Sequence, residues 1–517
     1  YRYTKFWQIP FPPYYYENYS SAFLSVRIDG VEVKNNYTEI GVFCGDEVRG
    51  SGILFPVNKT DGIIYVAAPS VYGKYGDDFT FKLYDHEKEE VLKCKSVTSL
   101  QFVNPDISFG TVDDPIIIDF ESSYVAQVGD NKFETLAEAL NAVESSDDVI
   151  TILKDTQGPG LVIDKKVTID FNGKTYSFTE GVGSTGTESN GFQILAGNTV
   201  TLKNGGLNVA VEAANKFYIL VQNYADLTID GMHLDGTNLD KWSATDGDSY
   251  VLSNNSGNVS ITGNTIITAN DQGDKAFAFD SYDYSSQGYA LPVVTVNTTG
   301  DITGAVEVSA TLYINGMGEN SDITYIAIEG RGQLFHNGLT TTIKKSIIGV
   351  SEEGKDGWYS ITSPIEGVVE HSKVEGLING THDLYYYNET EMMWENVKDT
   401  EDNIFNTLIS GQGYLYANTA DTDLLFKGAL NNGVVTREVK VTEGISLSGF
   451  NLIGNPFTHN ISKANMANIT LAEGFYILSN SGAWVAKNES DVIAPMQGVL
   501  VQAAEDGYLL IKREADT

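Results

Sequence analysis

The sequence predicts an all-β chain of three consecutive domains, and three observations carry that prediction. The first is a phrase that recurs five times in the middle third: Val167-Thr-Ile-Asp, Val200-Thr-Leu-Lys, Leu227-Thr-Ile-Asp, Val259-Ser-Ile-Thr and Val294-Thr-Val-Asn. The second is a different duplication in the last third, in which Gly357-Trp-Tyr-Ser-Ile-Thr-Ser-Pro-Ile365 is echoed by Gly449-Phe-Asn-Leu-Ile-Gly-Asn-Pro-Phe457. The third is composition: 51 glycines and 29 tyrosines against only 12 prolines in 517 residues, a turn-rich β profile. A chain of this length exceeds one core, so several domains are expected.

The first segment, residues 1–120, is a run of short alternating stretches. Ala22-Phe-Leu-Ser-Val-Arg-Ile, Ile63-Ile-Tyr-Val-Ala and Phe79-Thr-Phe-Lys-Leu-Tyr are the clearest, separated by turn signals at Asp29-Gly30, Asp61-Gly62 and Tyr75-Gly76-Asp77. Many short strands with regular turns predict an immunoglobulin-like β-sandwich. The aromatic opening, Tyr1-Arg-Tyr-Thr-Lys-Phe-Trp-Gln, is expected to pack on that sandwich or to be a disordered end. Lacking Met or an apolar leader, it is what a mature or trimmed chain would show. Asp46, Glu47 and Arg49 read as a structural salt bridge in a tight turn. Both cysteines, Cys44 and Cys94, fall in this segment. A disulfide between them is the favoured reading and suits an oxidising compartment; two separate buried thiols are the alternative. No CxxC spacing makes them metal ligands.

The second segment, 121–348, opens on a helix at 133–144. Thr135 and Glu138 have capping-box spacing, and Leu136, Leu140 and Val143 share one stripe. The phrase then repeats at steps of 33, 27, 32 and 35 residues. Each copy alternates apolar, hydroxyl, apolar, polar, the two-residue period of a strand with one buried face. Asn or Gly follows most copies, as a sharp corner requires. A strand returning after loops of similar length is the signature of a parallel β-solenoid, and the helix reads as the cap of its open end.

The third segment, 349–517, carries the duplication. Besides the Gly357/Gly449 pair, Trp394 is matched by Trp484, and Gln412-Gly-Tyr-Leu-Tyr-Ala by Gln497-Gly-Val-Leu-Val-Gln, at offsets of 92, 90 and 85. Two all-β halves packing into one sandwich is the economical arrangement.

At these residues the chain resembles known groups. Val128-Gly-Asp-Asn-Lys-Phe-Glu-Thr-Leu-Ala-Glu-Ala-Leu, leading to Ile150-Thr-Ile-Leu-Lys-Asp and Val167-Thr-Ile-Asp-Phe-Asn-Gly-Lys, resembles the opening of pectin-lyase-like right-handed β-helix domains. The phrases at 449–457 and Gly411-Gln-Gly-Tyr-Leu-Tyr-Ala-Asn418 resemble C-terminal sandwich modules of large secreted proteins of Gram-negative gut and oral bacteria. Glu39-Ile-Gly-Val-Phe-Cys-Gly-Asp-Glu-Val-Arg-Gly50 is similar to N-terminal modules of the same group. The resemblance implies an N-terminal β-sandwich, a central right-handed parallel β-helix with a helical cap, and a C-terminal β-sandwich with internal duplication. It also implies a surface adhesin.

Charge narrows the partners. With 33 basic against 69 acidic residues, the net charge of -36 opposes nucleic-acid binding and docking on an anionic membrane. No apolar run is long enough to insert in a bilayer. No cofactor is expected; calcium is the ion that so acidic a surface would suit, although no D-x-[DN]-x-[DN]-G loop occurs.

A β-helix can carry polysaccharide lyases and hydrolases, which need catalytic groups in the right positions. Arg331 is the only arginine between 121 and 345, and a lyase needs a basic proton acceptor. Asp147-Asp148 follows the helix and reads as solvated surface. No G-x-S-x-G occurs, and His86, His233, His336, His371, His382 and His459 stand singly.

Binding groups are easier to find. The insertion Asn270-Asp-Gln-Gly-Asp-Lys-Ala-Phe-Ala-Phe-Asp-Ser-Tyr-Asp-Tyr284 combines Asp271, Asp274, Asp280 and Asp283 with Tyr282 and Tyr284. Aromatic faces stack on sugar C–H surfaces, and carboxylates accept from hydroxyls. A second candidate is Leu239–Asp248, with Trp242 beside Asp246 and Asp248. An ordinary polar loop covering the edge of a rung is the alternative for both.

The expectation is therefore a secreted or outer-surface binding protein, monomeric. It would meet a glycan or a host or bacterial surface protein through its rung loops. An atypical polysaccharide lyase or hydrolase, and a structural spacer, are the alternatives.

Overall fold

The structure is a computed structural model and describes residues 3–103, 108–184, 186–241, 248–271, 275–350, 357–377, 380–398, 405–479 and 481–515. It is all-β, with one α-helix among the described residues. Two compact units partition the chain: Tyr1–Val125 with Lys132–Glu134, and Ala126–Asn131 with Thr135–Thr517.

The first unit contains a five-stranded sheet ordered 90–91, 78–85, 38–44, 47–53, with Leu100–Gln101 also on 78–85. A four-stranded sheet runs 94–96, 116–122, 24–28, 31–32. Alternating residues of both sheets supply one core, including Leu24, Val26, Ile40, Val42, Phe81 and Ile118. The aromatic opening packs on this unit. Glu39, fully buried, accepts from the backbone N–H of Phe6 at 2.7 Å and Trp7 at 3.1 Å, and its carboxylate lies 2.8 Å from His86 Nε2. The Phe6 ring then stacks on Tyr84 at 3.8 Å. Arg49 pairs with Glu47 at 3.0 Å and with Asp77 at 2.9 Å, so the expected turn salt bridge gains a second carboxylate. In place of the expected disulfide, Cys44 and Cys94 are free thiols. They stand on different sheets, each packed against the shared core.

In the second unit the recurring phrase becomes a ladder. Val167, Val200, Leu227, Val259 and Val294 are in-register parallel partners, all but fully buried. The ladder runs on to Leu312 and Leu334, which the repeat did not reveal. The second apolar position of the phrase stacks as Ile169, Leu202, Ile229, Ile261, Val296 and Ile314, and ends on His336. Two further parallel ladders alternate with this one along the chain. One stacks Tyr176, Leu207, Leu234, Ile267 and Ile302; the other Phe192, Val221, Leu252, Phe279, Val306, Ile326 and Ile343. Together they make a 22-stranded, mostly parallel sheet. At one corner Asn223 donates to Asn254 Oδ1 at 2.8 Å and to Ala225 O at 2.7 Å, holding two successive turns of the chain together.

The helix spans Leu136–Asn141, shorter than the predicted 133–144. Its capping box is formed, with Thr135 Oγ1 accepting from Glu138 N at 3.1 Å and Glu138 accepting from Thr135 N at 3.3 Å. Lys165 Nζ closes the other end on the carbonyls of Leu140 and Val143. At the far end of the first ladder, Thr458 exchanges two hydrogen bonds with Leu334, N–H to carbonyl at 2.8 Å and hydroxyl to carbonyl at 2.7 Å.

The duplication is structural. Strands Tyr359–Ile361, Tyr414–Asn418, His382–Asn388 and Met393–Asn396 form one four-stranded antiparallel sheet. Phe450–Gly454, Gly498–Gln502, Phe475–Leu478 and Trp484–Lys487 form its counterpart in the same order. The halves exchange reciprocal bonds: Thr362 N donates to Met496 O at 3.0 Å and Gly454 N to Gly411 O at 2.9 Å. Strand Thr340–Ile347 belongs to both architectures. It pairs parallel with Asp322–Ile328 and antiparallel with Thr422–Ala429, and the latter pairing repeats as Val435–Val439 with Gly507–Ile511.

Candidate functional site

Among the sequence-predicted residues, Trp242, Asp246 and Asp274 lie outside the described residues. The others fall into four environments. Asp248 accepts from Tyr250 OH at 3.4 Å and lies 3.9 Å from Lys275 Nζ, and the Tyr250 ring stacks on Phe277 at 4.8 Å. Asp280 is buried, accepting from the backbone N–H of Asn254 and, at 3.5 Å, from Ser253 Oγ. Burial pushes its pKa well up; the Asn254 N–H opposes this and Glu307, its in-register neighbour, adds to it. Its role is to hold adjacent strands.

Tyr282, Asp283 and Tyr284 belong to a surface cluster that also takes in Tyr224 and Tyr289. Tyr224 directly follows ladder strand Ile219–Asn223, and Tyr282 directly follows Ala276–Ser281, so the stacking of those strands brings the two loops to one corner. A single 3-10 turn, Ser285–Gln287, ends at Gly288 with φ 86°, the left-handed conformation that glycine adopts freely. The chain thereby returns Tyr289 onto Tyr284, the rings parallel at 5.7 Å. Tyr224 lies 4.8 Å from Tyr289, and Tyr282 lies 6.0 Å from Tyr284. Asp283 accepts from Ser285 N at 3.0 Å and from Arg331 Nε at 2.9 Å. The Ser285 hydroxyl and Arg331 hold its carboxyl down at about 2. The one arginine of this region is therefore engaged by the one acidic residue of the cluster, its guanidinium still largely exposed. Aromatic faces beside exposed N–H donors can stack on a sugar ring and bind its hydroxyls.

Asp271 lies elsewhere, in a groove of about 510 Å³ along the side of the ladders. Asp271 comes from a ladder loop, Asp322 and Thr324 from ladder strand Asp322–Ile328, Lys344 from the shared strand, and Glu375 and Asp423 from the first half of the duplication. Lys344 Nζ is 2.8 Å from Asp423 and 4.8 Å from the Tyr325 ring centre. An adjoining hollow of about 450 Å³ shares Asp322 and Thr324 and is lined further by Thr340, Thr341, Thr342 and Lys427.

A third cleft, of about 370 Å³, brings the two echoed tryptophans, Trp394 and Trp484, together with Tyr387, Phe450, Tyr476 and Leu500. Its walls are aromatic and aliphatic, without a charged group.

Tyr224, Tyr289 and the groove threonines were not singled out from sequence. Tyr224 and Tyr289 each border an Ala at a strand corner, a weak signal; only the register of the strands shows that they meet. Among the described residues, no three His, Cys, Asp or Glu side chains are grouped to hold a metal ion, and no helix is long and apolar enough to cross a membrane. Compared with known proteins, the chain matches no family model, no curated protein and no solved structure.

Proposed function

We propose that this chain is a secreted or surface-displayed binding protein, an adhesin whose ligand is carbohydrate. In this reading the three parallel ladders are the faces of a right-handed β-helix with a helical cap at one end, set between β-sandwich domains. The observation that supports it best is the cluster of Tyr224, Tyr282, Tyr284 and Tyr289 beside the Asp283–Arg331 pair. Four phenolic rings gathered at one corner with a largely exposed guanidinium supply the stacking faces and donors that a sugar needs, and none of the four rings belongs to the ladder core. Specificity would follow from the loops, which can vary while the ladders keep their register.

The test is a glycan array probed with the intact chain, with calcium and then with chelator, followed by Tyr284→Ala and Arg331→Ala. The expected outcome is a reproducible glycan hit that both substitutions weaken about tenfold or more, the loss of a stacking face or a charged donor. Unchanged affinity in both variants refutes the site, and a blank array refutes the carbohydrate reading.

A further inference from the structure

Strand Val435–Val439 carries an arginine on the side where an apolar residue is expected. In Val435-Thr-Arg437-Glu-Val439 the two valines pack on the core of the second half, and Arg437 shares their face. Its stem crosses Gly411, at φ +76°, where an added Cβ would stand 2.9 Å from Arg437 Cγ. Its head lines a hollow of about 390 Å³ together with Tyr386, Phe405, Asn406, Thr407 and Gln412. Arg49 and Arg331 each hold a carboxylate, whereas Arg437, among the described residues, forms no ion pair. Its one hydrogen bond runs from Nη2 to Gln412 Oε1 at 2.8 Å. Nε is buried without an acceptor, and Nη1 is unpaired but keeps open surface. Burial pushes the pKa of the group down, opposed by Tyr414 and Glu438. A half-buried cation in this state costs free energy that a bound anion recovers.

The duplication shows that this arrangement is particular to one half. Gln497, the counterpart of Gln412, accepts from Ala494 N at 2.9 Å and so closes its own turn. Gln412 has its amide nitrogen fixed on Leu452 O at 2.7 Å and Gly413 O at 3.1 Å, which aims its oxygen at the guanidinium. The planar fork is thereby held on one side and left open on the other. Neighbouring acids are engaged elsewhere. Glu395 accepts from Tyr386 and Asn388, and Glu438, on the exposed face of the strand, pairs with Lys440 at 2.6 Å. A guanidinium fork matches a carboxylate, whose two oxygens accept parallel N–H groups. Beside it stand the rings of Phe405 and Tyr386, edge to face at 5.1 Å, while Thr407 and Asn406 offer a hydroxyl and an amide. The volume suits one ring rather than a chain. We infer that this hollow binds a small acid, a single ring bearing a carboxylate, with the carboxylate on Arg437 and the ring against Phe405 and Tyr386. The site shares no residue with the tyrosine cluster and does not depend on the carbohydrate reading.

The experiment is isothermal titration calorimetry of the full chain with two sugar acids (D-galacturonate and N-acetylneuraminate), an aromatic acid (4-hydroxybenzoate), neutral D-galactose and inorganic phosphate. Four proteins are compared: wild type, Arg437→Met, Arg437→Lys and Tyr284→Ala. At least one of the three acids is expected to bind more tightly than D-galactose and phosphate, and their order tells a sugar acid from an aromatic one. Arg437→Met should weaken that binding about tenfold or more, as the loss of charge-assisted hydrogen bonds implies. It keeps an apolar stem and removes an unpaired cation, so its melting temperature should not fall. Arg437→Lys keeps the charge but not the fork, and it should also weaken the acid, which separates recognition from any folding defect of the methionine variant. Tyr284→Ala should leave this binding unchanged. No binding of any acid, tighter binding of phosphate or D-galactose, or acid binding that survives both Arg437 substitutions would each overturn the inference. Acid binding lost in Tyr284→Ala but kept in the Arg437 variants would assign the acid to the tyrosine cluster and overturn it too.

Discussion

His336 ends the inward column of the first ladder, where every partner before it is aliphatic. It is 3% exposed, and its pKa is pushed down to about 4 by burial, then by Arg513 and His459. The unfolded chain would titrate this imidazole near 6.5. Since the folded value is the lower one, the native state resists protonation: its stability is complete above pH 6.5, falls as pH drops towards 4, and changes little further below that through this group. Each unit between the two values is worth about 1.4 kcal/mol, so the loss amounts to about 3 kcal/mol. Urea denaturation at pH 7.5 and 4.5 should show it as a difference between wild type and His336→Gln, with the variant less sensitive to acid by about 2–3 kcal/mol. Comparing the two proteins cancels the titration of the many carboxylates that both share. Equal acid sensitivity in wild type and variant would refute the argument, because it would mean that the imidazole charges in place without penalty.

Three further outcomes follow from the packing. Leu202→Ala removes a fully buried side chain from the middle of the same column and should cost about 2–5 kcal/mol in urea denaturation; a loss below about 1 kcal/mol would show that the ladders collapse around the gap. Gly257→Ala introduces a Cβ only 2.1 Å from Ala225 O at a residue with φ +85°, so the melting temperature should fall by several degrees, and an unchanged value would contradict the geometry. Glu389, buried, accepts from Thr442 N at 2.8 Å, Thr442 Oγ1 at 2.7 Å and Gly449 N at 2.8 Å. Glu389→Ala should therefore destabilise by about 3 kcal/mol or more and speed proteolysis between the two halves of the duplication, with Glu389→Gln intermediate.

Much of the fold was legible because burial in a parallel ladder imposes a period that the residues must show. Val167, Val200, Leu227, Val259 and Val294 each fill the same place on successive strands, and a polar residue there would be buried without a partner. The ladder continued unseen to Leu312 and Leu334 because their strands read Thr-Leu-Tyr-Ile and Gln-Leu-Phe-His, where tyrosine and phenylalanine replace the hydroxyl of the phrase. At that end the Tyr313 and Phe335 rings stack at 4.8 Å, and Phe335 stacks in turn on His459 at 4.8 Å, so the last outward side chain packs against another part of the unit while Tyr313 stays exposed. The helix was predicted at both ends a few residues too long, since apolar spacing fixes its face, whereas its ends depend on Thr135, Glu138 and Lys165.

The sites were less legible, for a reason that bears on how such chains acquire binding surfaces. Period and register constrain the strands, so they leave a trace in sequence; the corners are constrained only by the need to turn. Tyr224 and Tyr289 lie 65 positions apart and come within 4.8 Å because two ladder strands happen to end above one another, information carried by every intervening strand and by neither tyrosine. The same holds for the groove, whose walls come from the loop at Asp271, the ladder strand Asp322–Ile328, the shared strand and residues 375 and 423 of the duplication. Its existence depends on Thr340–Ile347 pairing with Asp322–Ile328 on one side and with Thr422–Ala429 on the other. A strand committed on both edges cannot slip register without reversing which of its side chains face the core. Lys344 is therefore fixed on the outer face and Thr341 on the core face by backbone pairing, while the loop that carries Asp271 can change without disturbing either.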